Sequence, residues 1–310
     1  MWLSVAAVLA FVTCLPDDST AVALKAHGPV PPGPPPPPPP PPKPKGASRT
    51  VPWQAMVYLN EGGFYGGHGG GAILSDRWVL TSGRNLFLKK SHKDTCGQQP
   101  LVPKVYLGVA KPEDVDASKE AAVEQVFLHP EFQNASDWEN DLALIKLKEP
   151  LSFNQTLMPI PLPEQGQEQE ERVGEEAIFG AWDMGIIHYQ PGAVKYLKLP
   201  VVSHEVCRAE YQSGKGPIVN ANMFCTGASE FLINVCFMDA GNTLVFQNPK
   251  TRRVYAAGIV SFDNVCAFKK YAVHTRISTY LPWIRDVMRG DEVVSAQRES
   301  LVADMYSGKI

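Results

Sequence analysis

The sequence lacks an excess of positive charge and, past its first residues, any long apolar run. Its 310 residues contain 29 Lys and Arg against 32 Asp and Glu, which gives a formal net charge of −3. A general nucleic-acid binder needs a basic surface to neutralise phosphates, so this balance excludes that class. Beyond residue 15 no apolar run approaches the roughly 20 residues of a transmembrane helix, so we expect no membrane insertion.

The sequence also lacks the ligand spacing of a metal site. Its histidines are scattered singly, and no metal-ligand spacing emerges from their positions. They occur at residues 27, 68, 92, 129, 188, 204 and 274. We therefore predict neither a metal nor a cofactor, and each histidine is expected to be an ordinary surface or core residue.

The first 21 residues have the composition of a secretory signal peptide. An apolar stretch, Leu3–Leu15, is followed by small and polar residues that end at Ala21. A proline-rich sequence follows at once, which favours a signal peptide over a short buried helix. The segment has no basic n-region, so the position of the cut stays open. We expect a secreted, extracellular protein whose remaining cysteines meet an oxidising compartment.

Residues 22–50 form a proline-rich arm that cannot build a packed core. Prolines run without interruption from Pro34 to Pro42. Such a run predicts a polyproline II helix about 28 Å long at roughly 3.1 Å per residue. The arm is then a stiff spacer, the interpretation that we favour, or a ligand for a polyproline-binding domain.

From Val51 the sequence changes to short β-rich runs between turn signals, which is typical of a sandwich or barrel rather than of βαβ units. The runs form two groups of about six strands. The first group is predicted at Pro52–Val57, twice within Gly66–Thr81, and at Lys104–Gly108, Ala122–Leu128 and Asp141–Leu147. The second is predicted at Glu176–Trp182, Ala193–Val202, Asn242–Phe246, Val254–Ser261 and Tyr271–Ile277. Spaced apolar residues in Tyr280–Arg289 predict a C-terminal helix, and residues 291–310 a charged tail.

Two segments of the last third resemble motifs of trypsin-like serine proteases. Cys236–Gly241 reads Cys-Phe-Met-Asp-Ala-Gly, similar to the Cys-x-Gly-Asp-Ser-Gly around the nucleophile of that family. Gly258–Phe262 reads Gly-Ile-Val-Ser-Phe, similar to a strand beside its substrate pocket. The resemblance implies an all-β fold for residues 51–290, a trypsin-like double six-stranded β-barrel with a C-terminal helix.

The three positions of the catalytic triad are altered in this resemblance. Ala240 stands at the nucleophile position, and alanine has no oxygen that attacks a carbonyl. Arg84 stands at the position of the histidine base, and a guanidinium does not accept a proton at physiological pH. Asp141 matches the triad carboxylate, and we expect it to pair with Arg84. We predict that the chain is not an enzyme; an active protease of altered chemistry remains only if a fluorophosphonate labels it.

The resemblance also implies how the cysteines pair. Cys207 with Cys225 and Cys236 with Cys266 would form the two bridges of the second barrel. The first-barrel bridge of the proteases is missing, with Gly69 and Asn85 at its positions. Cys96 is left over, and in a secreted protein it is either capped or joins two chains. Asn134-Ala-Ser and Asn154-Gln-Thr are two N-glycosylation sequons.

Further segments resemble one branch of inactive homologues, plasma proteins that bind haemoglobin. They are Trp78–Phe87, with its Arg-Asn-Leu-Phe ending, and the Ser-Phe-Asp at Ser261. The likeness implies a haemoglobin αβ dimer as partner, held by loops around the former substrate cleft to limit oxidative damage by haem iron. Contact candidates are Phe237, Phe262, Asp263 and Tyr271, for which ordinary barrel packing is an equally open interpretation.

The N-terminal arm departs from the mammalian members of that branch. It stands in place of their complement-control module, as we would expect of a fish-type member, and it contains no cysteine. We therefore expect a monomer, with a Cys96-linked dimer as the alternative, and leave uptake by a scavenger receptor open. The rival function is an adaptor or decoy that binds another secreted protein, because that role also needs only a surface.

Overall fold

The computed structural model describes most of the region after the proline-rich arm, and these residues belong to one compact unit. The described residues are 51–59, 68–87, 99–110, 115–132, 138–164, 173–182, 194–212, 217–228, 235, 239–248, 251–262 and 271–290. The predicted signal peptide, the arm and the C-terminal tail lie outside them. No helix within this part of the chain is long and apolar enough to cross a membrane.

The first half folds into a seven-stranded antiparallel sheet with the order β5-β4-β1-β2-β3-β7-β6. Its strands are β1 Gln54–Tyr58, β2 His68–Ile73, β3 Trp78–Thr81, β4 Lys104–Leu107, β5 Glu120–Ala121, β6 Val123–Leu128 and β7 Ala143–Leu147. The two outermost strands, β5 and β6, are separated by Ala122 alone. One extended segment thus pairs with β4 at one edge and β7 at the other, which curls the sheet into a barrel-like form.

The second half forms a closed six-stranded barrel with the order β10-β13-β12-β11-β8-β9. Its strands are β8 Glu176–Trp182, β9 Val194–Val202, β10 Met223–Thr226, β11 Thr243–Gln247, β12 Val254–Phe262 and β13 Ala272–Arg276. The pairing of β9 with β10 closes the ring. Side chains alternate along each strand, so every second residue of β9, from Leu197 to Val201, enters the core.

Two helices accompany the barrels. Helix α1, His204–Gln212, follows β9, and the disulfide Cys207–Cys225 joins it to β10. Helix α2 spans 277–290 and begins directly after β13. Its buried residues Leu281 and Ile284 pack with Leu80 and Leu144 of the first barrel and with Ile259 of the second.

The fold expected from the sequence, two barrels and a C-terminal helix, is confirmed, with differences in detail. Helix α2 starts at residue 277, three residues before the predicted start. Helix α1 and strands β5 and β10 were not predicted from the sequence. Strand β5 has two residues, too few for an alternating pattern to be recognised, and α1 buries only Cys207 and Tyr211.

Candidate functional site

The site begins at a 3₁₀ turn, Gly83–Leu86, that follows strand β3 and positions Arg84. A Cβ atom at Gly83 would lie 2.8 Å from Leu128 Cδ1, so only glycine lets the turn sit this close to β6. The backbone N–H of Arg84 donates to Asp141 Oδ1 at 2.8 Å. Its side-chain Nε lies 3.8 Å from Asp141 Oδ2, with 6% of the Arg84 side chain and none of the Asp141 side chain exposed. The two residues therefore form a buried ion pair.

The guanidinium of Arg84 also lies against an aromatic row. Its Cζ atom is 4.6 Å from the centre of the Trp138 ring, a cation–π contact. Trp138 lies 5.9 Å from the ring of Phe262, which meets Tyr211 edge-on at 5.4 Å. This aromatic row, Trp138–Phe262–Tyr211, leads from Arg84 across the second barrel to helix α1.

Asp141 connects Arg84 to the second barrel. The Ser261 hydroxyl donates to Asp141 Oδ2 at 2.7 Å, and the Thr275 hydroxyl donates to the Asp141 carbonyl at 3.3 Å. Asp141 is fully buried, so each of these bonds serves a group that water does not reach. The carboxylate thus receives a backbone N–H and a guanidinium from the first barrel and a hydroxyl from the second.

Ala240 is fully buried, and its carbonyl is bound from the first barrel. This oxygen accepts from the Gly70 N–H at 2.7 Å and from Asn85 Nδ2 at 2.8 Å. The next residue, Gly241, has φ of +85°, and a Cβ there would lie 2.2 Å from the Gly70 carbonyl oxygen. Only glycine fits both the backbone conformation and the close approach of the two barrels.

Gly69 and Asn85, at the positions of the missing bridge, are in direct contact. A Cβ built on Gly69 would lie 2.3 Å from Asn85 Nδ2. The glycine therefore makes room for the Asn85 amide, which also donates to Thr81 Oγ1 at 3.1 Å. Hydrogen bonds from one amide group stand where the family would have a covalent bridge.

The remaining sequence-predicted residues have different positions. Cys207 and Cys225 are bonded, and Asn154 is exposed in a turn where its Oδ1 accepts from the Thr156 N–H at 2.8 Å. Phe262 is buried with 4% of its surface exposed, and Tyr271, which precedes β13, is partly buried. The other six lie outside the described residues: Cys96, Asn134, Cys236, Phe237, Asp263 and Cys266.

Three residues of this site were not predicted from the sequence: Trp138, Tyr211 and Ser261. Ser261 is part of a motif that was quoted for its likeness alone, and its bond to Asp141 spans 120 positions of the chain. Trp138 precedes Asp141 by three residues, the one signal that it belongs to the same turn. Nothing in the sequence around Tyr211 indicates its contact with Phe262.

The chemistry of these side chains is limited. Ala240 carries no nucleophilic atom, and the Arg84 guanidinium holds its proton at every physiological pH. Among the residues with defined positions, no group of three or more His, Cys, Asp or Glu side chains could hold a metal ion. The arrangement is a buried ion pair within the first barrel, tied to the second barrel by hydrogen bonds from Ser261 and Thr275.

Comparison with known proteins places this arrangement in a family. The family described as Trypsin matches residues 43–284, so the chain belongs to the trypsin family of serine-protease folds. Within it, the chain is similar to haptoglobins. It is 30% identical to haptoglobin of Rattus norvegicus over 255 residues, which cover 78% of this chain and 68% of the relative. We therefore assign it to the haptoglobins.

Other mammalian haptoglobins give the same result. Identity to the protein of Canis lupus familiaris is 29% over 258 residues, which are 79% of this chain and 72% of that one. Identity to the haptoglobin of Cervus elaphus is 30% over 252 residues, which are 77% of this chain and 58% of that one. The haptoglobin likeness expected from Trp78–Phe87 and Ser261 is thereby confirmed.

Proposed function

We propose that this chain is a secreted, non-catalytic protein that binds the haemoglobin αβ dimer. Its similarity to proteins named haptoglobin supports the partner. The observation that carries the proposal is the buried Arg84–Asp141 pair at the former base position, beside an alanine at the nucleophile position. A site of this kind retains the shape of a protease without its catalytic groups, so it acts by binding a partner through its surface.

The absence of proteolysis follows from the same geometry. An attack on a peptide carbonyl needs a nucleophile and a base that takes its proton, and both functions are missing from Ala240 and Arg84. The Asp141 carboxylate is occupied by Arg84 and Ser261 and is sealed from solvent. A fluorophosphonate probe should leave the protein unlabelled, in contrast to trypsin under the same conditions.

We place the haemoglobin contact on the loops around this junction rather than on its core. The ring of Phe262 packs between Trp138 and Tyr211, so in the free chain it supports the surface from below. Tyr271 is the partly exposed candidate, and its carbonyl holds the Tyr211 hydroxyl at 2.6 Å. Phe237 and Asp263 complete the proposed contact set. Large aromatic side chains of this kind dominate many protein interfaces.

The proposal includes the cellular context. The chain enters plasma after removal of residues 1–21, carries glycans at Asn134 and Asn154, and works as a monomer. Capture of free haemoglobin holds the haem iron within the globin and limits both oxidation and loss of iron. Cys96 is then capped, whereas a Cys96 bridge would produce a dimer that reducing agents separate.

Gel filtration of the secreted protein with oxyhaemoglobin, both at low micromolar concentration, tests the proposal. We expect one stable peak that carries the Soret absorbance, with the mass of one chain plus one αβ dimer. Haemoglobin that elutes entirely free would refute haemoglobin binding and leave the adaptor or decoy role. Co-elution of two chains would show that Cys96 or the tail joins them.

A pair of tyrosine variants tests where haemoglobin binds. Tyr271→Ala should weaken binding about tenfold or more, as expected of an aromatic contact residue, while its backbone bond to Tyr211 stays in place. The matched control is Tyr196→Ala on strand β9, a tyrosine that is 46% exposed and does not belong to the proposed contact set. Equal affinities of both variants and the unaltered protein in a titration would remove Tyr271 from the interface.

A further inference from the structure

His274 occupies the interior of the second barrel and has no role in the proposed function. It lies in the centre of strand β13, where it pairs with Phe224 of β10 and Val260 of β12. No part of it is exposed to solvent, and its ring lies 5.1 Å from the ring of Phe224. An ionisable side chain thus stands beside the apolar cluster that fills this barrel.

The hydrogen bonds of His274 suit a neutral ring. Its Nε2 lies 2.8 Å from the Thr226 hydroxyl oxygen, and Nδ1 has no hydrogen-bond partner among the described residues. A neutral imidazole leaves one nitrogen without a hydrogen, whereas a protonated one has two donors to satisfy. A proton on His274 would therefore create an unsatisfied donor and a charge in the same buried place.

Among the described residues, the charged and titratable groups around His274 offer no compensation. Of the strands paired with β13, β10 carries only Cys225, which is in a disulfide, and β12 carries only Tyr255, which is neutral in acid. On β13 itself, the Arg276 guanidinium lies over the Phe224 ring, which also contacts His274. Across the barrel, Glu176 and Lys198 bind each other on the outer surface.

Asp141 is the carboxylate that approaches β13, but it does so from the other side. It binds Thr275, whose side chain alternates to the face opposite that of His274. A protonated His274 would thus face a cation and aromatic rings, with no carboxylate on its own side among these contacts.

We propose that His274 makes the second barrel acid-labile, so that proton uptake by its ring opens this barrel before the first. Burial lowers the pKa of His274 from 6.5 to about 3. As the pH falls, His274 of the unfolded chain therefore binds a proton near pH 6.5, whereas His274 of the folded chain binds it only at about pH 3. The contribution of His274 to stability is fully present above pH 6.5 and is lost progressively as the pH falls from 6.5 towards 3.

Opening of the second barrel in acid would also disrupt the site around Asp141. The second barrel supplies Ser261 and Thr275 to Asp141, and it frames Phe262 and Tyr271. In an acidified compartment, a partner bound at the barrel junction would lose the second-barrel residues that form its binding surface. This consequence rests on the proposed function. The acid lability of the free chain does not depend on any partner and is measured without haemoglobin.

Hydrogen exchange of the unaltered full-length protein tests the proposal first. Labelling at pH 7 and pH 5, with times adjusted for the intrinsic exchange rate, should show peptides from β10, β12 and β13 losing protection at pH 5. Peptides from β1, β3 and β7 should keep theirs. Equal loss in both barrels, or no loss in either, would overturn the proposal even if no variant folds.

Histidine variants then identify the group responsible. Below pH 6.5, protonation of His274 in the unfolded chain should lower the folding equilibrium constant about tenfold for each pH unit. In His274→Gln this component should vanish from melts recorded between pH 7.5 and 4.5. The control, His204→Gln, alters a partly exposed histidine of α1 and should keep the full dependence. A dependence in His274→Gln that parallels the unaltered protein would refute the assignment.

Discussion

Asp141 is a buried carboxylate whose hydrogen bonds come from both barrels. Its two carboxylate oxygens accept from the Arg84 N–H and the Ser261 hydroxyl, and the Arg84 guanidinium lies beside them. Two charges taken from water are tolerated only when they are paired and hydrogen-bonded. The Arg84–Asp141 pair lies within the first barrel, and the Ser261 hydroxyl ties its carboxylate to the second.

The first prediction concerns the charge of Asp141. Asp141→Asn keeps the shape of the side chain but leaves the Arg84 guanidinium buried without its counter-ion. We expect the free energy of unfolding to fall by about 3 kcal/mol, the usual cost of breaking a buried ion pair from one side. Urea unfolding at pH 7.4 measures this difference.

A surface pair gives the matched control for Asp141→Asn. Glu176→Gln makes the same carboxylate-to-amide change in the exposed pair with Lys198, where 66% of the Lys198 and 54% of the Glu176 side chain is accessible. Exposed pairs of this kind contribute less than about 1 kcal/mol. Equal midpoints for Asp141→Asn and the unaltered protein would show that the buried pair contributes nothing.

The contact between Gly69 and Asn85 leads to a second prediction, the return of a bridge. A Cβ on Gly69 would lie 2.5 Å from Asn85 Cγ. Asn85 Cβ is one bond of about 1.5 Å further, so the two Cβ atoms are at most about 4 Å apart, within disulfide range. We expect Gly69→Cys/Asn85→Cys to form a disulfide, seen as a mass loss of two hydrogens.

Thiol labelling before and after reduction checks that prediction. Two more thiols should become reactive in the double variant only after reduction. The single variant Gly69→Cys, which drives its Cβ into the Asn85 amide, should melt at a lower temperature than the unaltered protein. Full labelling of both new cysteines without reductant would show that the strands do not meet as described.

Helix α2 is the element that covers the line where the two barrels meet. Ile284 and Leu281 are buried in a cluster that includes Leu80 and Leu144 from the first barrel and Ile259 from the second. The Tyr280 hydroxyl donates to Asn140 Oδ1 at 2.9 Å in the turn that precedes Asp141. Burial of this hydroxyl among nearby carboxylates raises the pKa of Tyr280, so it remains a donor at physiological pH.

The third prediction tests how much this helix contributes. Ile284→Ala leaves a cavity in the shared cluster and should lower the free energy of unfolding by about 3 kcal/mol. Asp286→Ala, two residues on at a position with 71% of the side chain exposed, should change it by less than about 0.5 kcal/mol. Equal effects of the two variants in urea unfolding would mean that α2 is not packed as described.

The folded region as a whole is held together by contacts that cross from one barrel to the other. Gln54 Nε2 donates to Asn242 Oδ1 at 2.9 Å, and Gly70 donates to the Ala240 carbonyl. The cluster beneath α2 combines side chains from both sheets. Neither barrel is complete without the other at neutral pH, because each leaves polar groups and apolar surface that the partner barrel covers.

The fourth prediction follows from this shared core. Thermal unfolding at pH 7.4 should be one transition, in which the calorimetric enthalpy equals the van't Hoff enthalpy. At pH 5 the proposed protonation of His274 should divide it, with the second barrel melting first. Two separated transitions already at pH 7.4 would contradict the close coupling of the barrels.

Local sequence was sufficient to predict the two-barrel architecture and the family. The β-rich apolar runs of β1, β8, β9 and β12 are visible in short windows between turn signals. The motifs around Ala240, Arg84 and Asp141 carry the family resemblance at positions that can be read one by one. A pairing of Cys207 with Cys225 also followed from that resemblance.

The contacts that give the site its character join residues distant in the chain, and they depend on how the barrels pack. Trp138 against Arg84, Asn85 against Ala240 and Ser261 against Asp141 bring together segments separated by up to 155 positions. No local pattern encodes such pairs, because each depends on the depth and angle at which two sheets meet. His274 is the clearest case. Its sequence context is an ordinary strand, and only closure of the barrel removes its ring from water.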